Sequence, residues 1–251
     1  MKYVTFPDLL EKSGYHIGYT GKGCSPFNWE ISGRTRNPVG PAYDDVQYGD
    51  DSPDGPPASG ISRNNYAENF KAFYLEKDPD KPFFFWYGSF EPHRVYEQNS
   101  GIRLGKQMAD AAVPGFLPDA DTIRADLMDY ALEIEWFDLH LQRILEYLEE
   151  KGDLENTLVI VTSDNGMPFP RAKANTYECG IHLPLAMAWP ESIVPGRIVE
   201  DPVSFVDFAP PIMELAGGDL EKGMLPMSGK SLLNILASGK DGIVDNSRVA
   251  V

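Results

Sequence analysis

Four short polar runs in this 251-residue chain carry side chains that could do chemistry together. Lys22 stands between Gly21 and Gly23. His93 and Arg94 follow Glu91-Pro92. Asp164 and Asn165 precede Gly166, and Lys173 comes nine positions after Asp164. Asp164 and Asn165 offer a carboxylate and an amide carbonyl, the hard oxygen donors that Ca2+ or Mg2+ takes. His93 is a proton donor or an anion contact. Arg94 can hold a planar anion through two donors. The glycines beside Lys22 let an anion come close to the backbone.

Each run alone has a plainer reading. Asp-Asn-Gly favours a tight turn, Gly-Lys-Gly an exposed one. A histidine after proline is as readily a structural hydrogen-bonder, and a loop lysine is by default solvated. What gives the four runs weight is their order, Lys, His, Asp-Asn, Lys, each at the end of an expected strand or in the loop after it. His16 and His140 are read as structural, His140 as a partly buried or surface residue of a helix. Glu146, Glu149 and Glu150 are read as a solvated helix face.

The elements that must position these residues alternate. "FPDLLEKSG" has Pro7 near a helix start and Gly14 at its end. "YHIGYTG" follows as a strand. Residues 33–63, rich in Pro, Gly, Asp, Ser and Asn, read as a long irregular surface loop of the kind that carries function. "NNYAENFKAFYLEK" has a helical apolar stripe. "KPFFFWYGSF" suits a strand buried on both faces. After a loop over 98–118, the spacing from Leu127 to Leu148 predicts a long helix that Gly152 ends. "NTLVIVTS" and "LPLAMAWP" read as strands, "FVDFAPPIMELAG" and "GKSLLNILASG" as later helices. Strand alternating with helix implies an α/β protein, a three-layer α/β/α sandwich with a mostly parallel central sheet. In such sheets ligands collect at the carboxyl ends of the strands.

With 22 Lys and Arg against 38 Asp and Glu, the net charge is −16. A field of that sign repels nucleic acid and anionic membranes, so neither is expected as a partner. Two cysteines, Cys24 and Cys179, lie far apart and have no metal-type spacing. Cys24 opens "CSPFN", which raises the question of a nucleophile loop. There is no apolar run of transmembrane length, and the first sixteen residues lack the apolar core of a signal peptide. Both ends look cut: the chain starts on a helix and stops on "NSRVAV".

Taken together, "SGYHIGYTGK", "KPFFFWYGSFEPHR", "NTLVIVTSDNG" and "KANTYECGIHLPLAMAWP" resemble the sulfatase family of the alkaline-phosphatase-like superfamily. The resemblance covers nearly the whole chain, and "EPHR" with "DNGMPFP" is most similar to its sulfamidase-type branch. It implies hydrolysis of a sulfate ester or sulfamate, with a sulfated carbohydrate or a small sulfate ester as the partner. It implies a bound divalent cation, usually Ca2+ with Mg2+ as the alternative, held in part by Asp164 and Asn165. It implies catalytic roles for Lys22, His93 and Lys173 around the sulfate, and substrate contacts for Arg94 and for His182, which stands where relatives often carry arginine. A periplasmic, extracellular or lysosomal setting follows from the family. These roles suit the chemistry: cations stabilise the nonbridging oxygens and a histidine protonates the leaving atom.

The departures are as informative. Cys24 occupies a position where relatives often carry histidine, and Cys179 replaces a glycine. The family's nucleophile is a Cys or Ser oxidised to formylglycine within Cys/Ser-x-Pro-Ser-Arg, upstream of the Gly-Lys run. "CSPFN" fails that pattern, with Phe27 and Asn28 in place of Ser and Arg, and lies after the lysine. Residues 1–251 are therefore expected to form a partial catalytic domain, without the nucleophile segment, the upstream metal aspartates and the C-terminal subdomain. Alternatives are a phosphoesterase or phosphonate hydrolase of the same superfamily and a noncatalytic sulfated-glycan-binding homologue.

Overall fold

Thr5 opens the first helix, α1 (Phe6–Lys12), through a capping box with Asp8, and Pro7 sits in its first turn. A computed structural model describes residues 4–24, 28–217 and 226–249. Next comes strand β1 (His16–Gly21), which pairs in parallel with β2 (Phe83–Gly88), Gly21 lying opposite Gly88. Between them helix α2 (Tyr66–Glu76) is capped by Asn65, whose side chain accepts the Glu68 N–H.

The two-residue period of the strands builds three layers. Phe83, Phe85 and Tyr87 point to one face, packing with Phe70 and Phe73 of α2 and with Ile144, Tyr147 and Leu148 of the long helix α4 (Asp121–Lys151). Ile17 and Phe84 point to the other face, against Leu9 and Leu10 of α1 and Met213 of helix α6 (Ala209–Leu215). The α/β class and the sandwich expected from the sequence are thus present. Gly18 is required at this seam, because a Cβ there would lie 2.7 Å from the Phe73 ring.

Two strand expectations need adjustment. β2 is half-buried rather than buried on both faces, with Trp86 40% exposed, since among the described residues it pairs with β1 alone. β3 (Val159–Thr162) and β4 (Leu185–Ala188) pair antiparallel. Their connection is a loop with one helical turn, α5 (Glu178–Ile181), that brings the chain back beside β3 in the opposite direction. The loop over 98–118 holds two short turns, α3 (Ser100–Arg103) and a 3-10 turn over Met108–Asp110, and "GKSLLNILASG" shortens to α7 (Leu233–Leu236).

Helix α4 ends at Gly152, whose φ of 75° is the left-handed cap conformation. Its buried stripe includes polar residues that its apolar pattern hides: Asp129, Glu133 and His140 are each at most 2% exposed. His140 accepts the Ala67 N–H through Nδ1. Burial, with Arg143 nearby, holds its imidazole down to about 4, so it stays neutral as a core residue.

The irregular stretch over 33–63 is pinned by its polar groups. Asp44 accepts from the Thr20 hydroxyl at 2.8 Å, the Gly21 N–H at 2.7 Å and the Asn64 amide at 2.5 Å. The carboxyl end of β1 is therefore held from behind by a carboxylate of the loop.

Candidate active site

Lys22 is delivered by backbone geometry. Gly21 has φ +72°, and the Lys22 N–H donates to the Gly88 carbonyl at 2.5 Å. A Cβ on Gly88 would lie 1.8 Å from the Lys22 carbonyl oxygen, and one on Gly21 2.2 Å from that of Gly88. Two glycines thus let the ends of β1 and β2 touch, and the lysine leaves from that contact.

From there the Lys22 ammonium reaches the third strand end, 3.8 Å from the Asp164 carboxylate. Asn165 donates its side-chain amide to the other Asp164 oxygen at 2.9 Å. The Asp164–Gly166 turn is locked to α5: the Gly166 N–H donates to the Gly180 carbonyl at 3.2 Å. A Cβ on Gly166 would lie 2.0 Å from the Cys179 carbonyl oxygen. The Lys173 N–H donates to the Met167 carbonyl at 3.0 Å, which ties the second lysine's loop to the same turn. The Lys173 side chain is half-buried.

Lys22, His93 and Arg94 line one cavity of about 350 Å3 together with Gly60, Phe90 and Glu91. His93 lies with Nδ1 2.6 Å from the Arg94 carbonyl. A carbonyl only accepts, so Nδ1 carries the proton and Nε2 is the nitrogen left to exchange one with a ligand. Arg94 is a brace between loops. It pairs with both Asp126 oxygens, at 3.0 and 2.5 Å, and donates Nε to the Pro168 carbonyl at 2.9 Å. Its guanidinium lies 4.7 Å from the Tyr96 and Phe169 ring centres. The ion pair with Asp126 pushes its pKa further up.

His182 stands apart from this cavity. It is exposed and pairs with Glu178 of α5 at 2.6 Å. Cys24 is half-buried, its N–H donating to the Asn37 side chain. Burial pushes its thiol up despite Arg34, the opposite of what an activated nucleophile needs. Ser25, Pro26 and Phe27 of "CSPFN" lie outside the described residues. Among the described residues no group of three or more His, Cys, Asp or Glu side chains could hold a metal ion.

Sequence reasoning missed the acidic groups behind the cavity. Glu91 is 5% exposed and accepts from Ser62 N–H, Tyr66 O–H and Ser89 O–H, at 2.6, 2.8 and 2.5 Å. Glu133 is 2% exposed, and its Oε2 has no hydrogen-bond partner. Burial first, then the neighbouring Glu91, push its carboxyl up to about 8, with Arg94 opposing. The signal was available, since Asp129 and Glu133 fall four apart on the apolar stripe of α4.

A raised folded pKa contributes stability that is complete below pH 4.5 and lost as pH rises through about 8. Glu133→Gln is therefore expected to flatten the stability profile between those values. Relative to wild type it gains about 2–4 kcal/mol by pH 8. Chemical denaturation across that range checks this; parallel profiles for the two proteins would contradict it.

The sulfatase family model matches residues 2–218. Human N-sulphoglucosamine sulphohydrolase is 31% identical over 163 residues, 56% of this chain and 32% of the human protein. An ulvan-active sulfatase of Formosa agariphila is 27% identical over 94% of this chain and 42% of its own length. The chain thus spans a third to under half of these relatives. A solved structure in complex with its substrate D-glucosamine-2-N,6-O-disulfate superposes with TM-score 0.67 at 18% identity, over 98% of this chain and 66% of that one. A phosphonate monoester hydrolase of Agrobacterium radiobacter does so with TM-score 0.63 at 17% identity, over 93% and 62%. These neighbours share the fold, the alkaline-phosphatase-like α/β/α sandwich. With the family model matched over 217 of 251 residues (218 − 2 + 1) and the lysine, histidine and Asp-Asn runs gathered at strand ends, the chain belongs to the sulfatase family.

Proposed function

We propose that this chain forms the anion-binding part of a hydrolase that cleaves sulfate esters or sulfamates of a sulfated carbohydrate. The observation that carries the reading is the convergence of Lys22 and His93 on one cavity, with the Lys22 ammonium 3.8 Å from Asp164. Support for the substrate class comes from relatives named for glucosamine and ulvan sulfation. In this reading residues 1–251 belong to one catalytic domain, in a periplasmic, extracellular or lysosomal setting.

The roles follow from charge. Lys22 and Lys173 neutralise the nonbridging oxygens of the sulfate, which carry negative charge throughout the reaction. His93, with Nδ1–H on the Arg94 carbonyl, protonates the leaving oxygen or nitrogen from Nε2. Arg94 adds positive field at the cavity wall while its paired donors hold the loops, and His182 meets more distant parts of a substrate.

The donor chemistry of Asp164 and Asn165 fits Ca2+ or Mg2+, but the two side chains fall short of the six or more oxygens such an ion takes. The Asn165 amide would also have to turn its oxygen outward from the present Asp164 contact. When bound, the ion would supply Lewis-acid stabilisation of sulfate oxygens. The expected affinity of this chain for Ca2+ is weaker than micromolar.

Titration calorimetry with sodium sulfate, paired with p-nitrophenyl sulfate turnover, tests the proposal. The expected result is sulfate binding without turnover, since no run here reads Cys/Ser-x-Pro-Ser-Arg. Absence of sulfate binding would overturn it. The phosphonate hydrolase neighbour favours a phosphoryl group as the second reading, and tighter binding of phosphate than sulfate would select it.

A further inference from the structure

Most polar groups of the Lys22 cavity are already committed. Both Glu91 oxygens accept hydrogen bonds, from Ser62, Tyr66 and Ser89. The Arg94 donors hold Asp126 and the Pro168 carbonyl, and both neighbouring rings cover its plane. The ligand-facing groups that remain are the Lys22 ammonium, His93 Nε2 and the ring of Phe90. The first two suit an anionic head. Phe90 is 46% exposed and lines the same cavity.

The backbone that carries this ring is anchored. The Phe90 N–H donates to the Tyr66 hydroxyl at 3.1 Å, and that hydroxyl donates to buried Glu91. Tyr66 is fully buried. Beside it, Gly60 presents bare backbone at φ +97°, a position where a Cβ would lie 2.4 Å from the Val95 carbonyl oxygen. An exposed aromatic face thus shares one cavity with two cationic or proton-bearing side chains, and a flat group can lie on it next to them. An exposed aromatic face gains from burial against C–H surface.

Resting on the sulfatase reading above, we propose that Phe90 is the stacking platform for the pyranose ring carrying the sulfate, and so selects a sugar sulfate over a small alkyl sulfate. The anionic head sits on Lys22 and His93, and the apolar face of the sugar lies on Phe90. Its hydroxyls stay in solvent, because the Glu91 acceptors are occupied.

Competitive calorimetry on the whole chain with sodium sulfate, methyl sulfate and glucose 6-sulfate tests this. The wild-type chain is expected to bind glucose 6-sulfate about five- to tenfold tighter than methyl sulfate. Phe90→Ala brings that ratio to within about twofold, and Phe90→Trp restores it. A ratio unchanged by Phe90→Ala, with inorganic sulfate still bound, overturns the platform alone. Equal losses for all three anions in Phe90→Ala also overturn it, since Phe90 then acts on the cavity as a whole. Failure of wild type to bind inorganic sulfate overturns the underlying sulfatase-site reading as well.

Discussion

Lys22→Met is expected to weaken binding of inorganic sulfate by about tenfold to a hundredfold, the value of one charge-assisted hydrogen bond in a partly enclosed site. The substitution keeps the length and apolar stem of the side chain and removes the charge. Lys22 is delivered by the Gly21–Gly88 contact through backbone alone, so the fold is expected to survive the change. The same substitution takes a cation from beside Asp164, 3.8 Å away. It should therefore strengthen binding of Ca2+ to Asp164 and Asn165 while it weakens binding of sulfate. Opposite signs for two ligands are a result that general destabilisation would not give. Titrations of both ligands against the variant check it, and a parallel loss of both would contradict the assigned geometry.

Gly88→Ala is expected to have the largest effect on stability. Its Cβ would sit 1.8 Å from the Lys22 carbonyl oxygen and 2.8 Å from the carbonyl carbon, both backbone atoms that no rotamer change can move. Relief requires β1 and β2 to separate at their carboxyl ends, which breaks the Lys22 N–H to Gly88 carbonyl bond. A loss of about 3 kcal/mol follows, or about 6–12 °C in Tm for a chain of this size. Gly115 is the control, since a Cβ there would meet nothing within 4 Å; Gly115→Ala should stay within about 0.5 kcal/mol. Thermal melts of the two variants settle the point, and equal Tm values would show that the strand ends do not meet as described.

Local rules made much of this fold legible. Pro7, Gly152 and the apolar spacing of α2 and α4 are signals carried by neighbours in the chain, and helices stand where they predict. The candidate site was legible only as an ordered set of strand-end residues, of which Lys22, His93 and Arg94 line one cavity. Lys22 and Asp164, remote in sequence, do meet.

What stayed hidden depends on partners that no local pattern names. Asp44 in the irregular loop holds β1 from behind, and Asp126 claims Arg94 from 32 residues away. The antiparallel run of β4 depends on the path of the loop between it and β3, which strand-like composition cannot report. Glu133 was concealed by its type: a glutamate on a charged helix reads as solvated until the packing shows which face is buried.

The central claim is that Lys22, His93 and Lys173 address one oxyanion. Its most direct test is the anomalous diffraction of crystals soaked in sodium selenate, which marks the anion by its selenium. The account predicts a selenium peak within hydrogen-bonding distance of Lys22 Nζ and His93 Nε2, with Lys173 turned toward it. Selenate bound elsewhere, with the Lys22 cavity holding no peak, would contradict it.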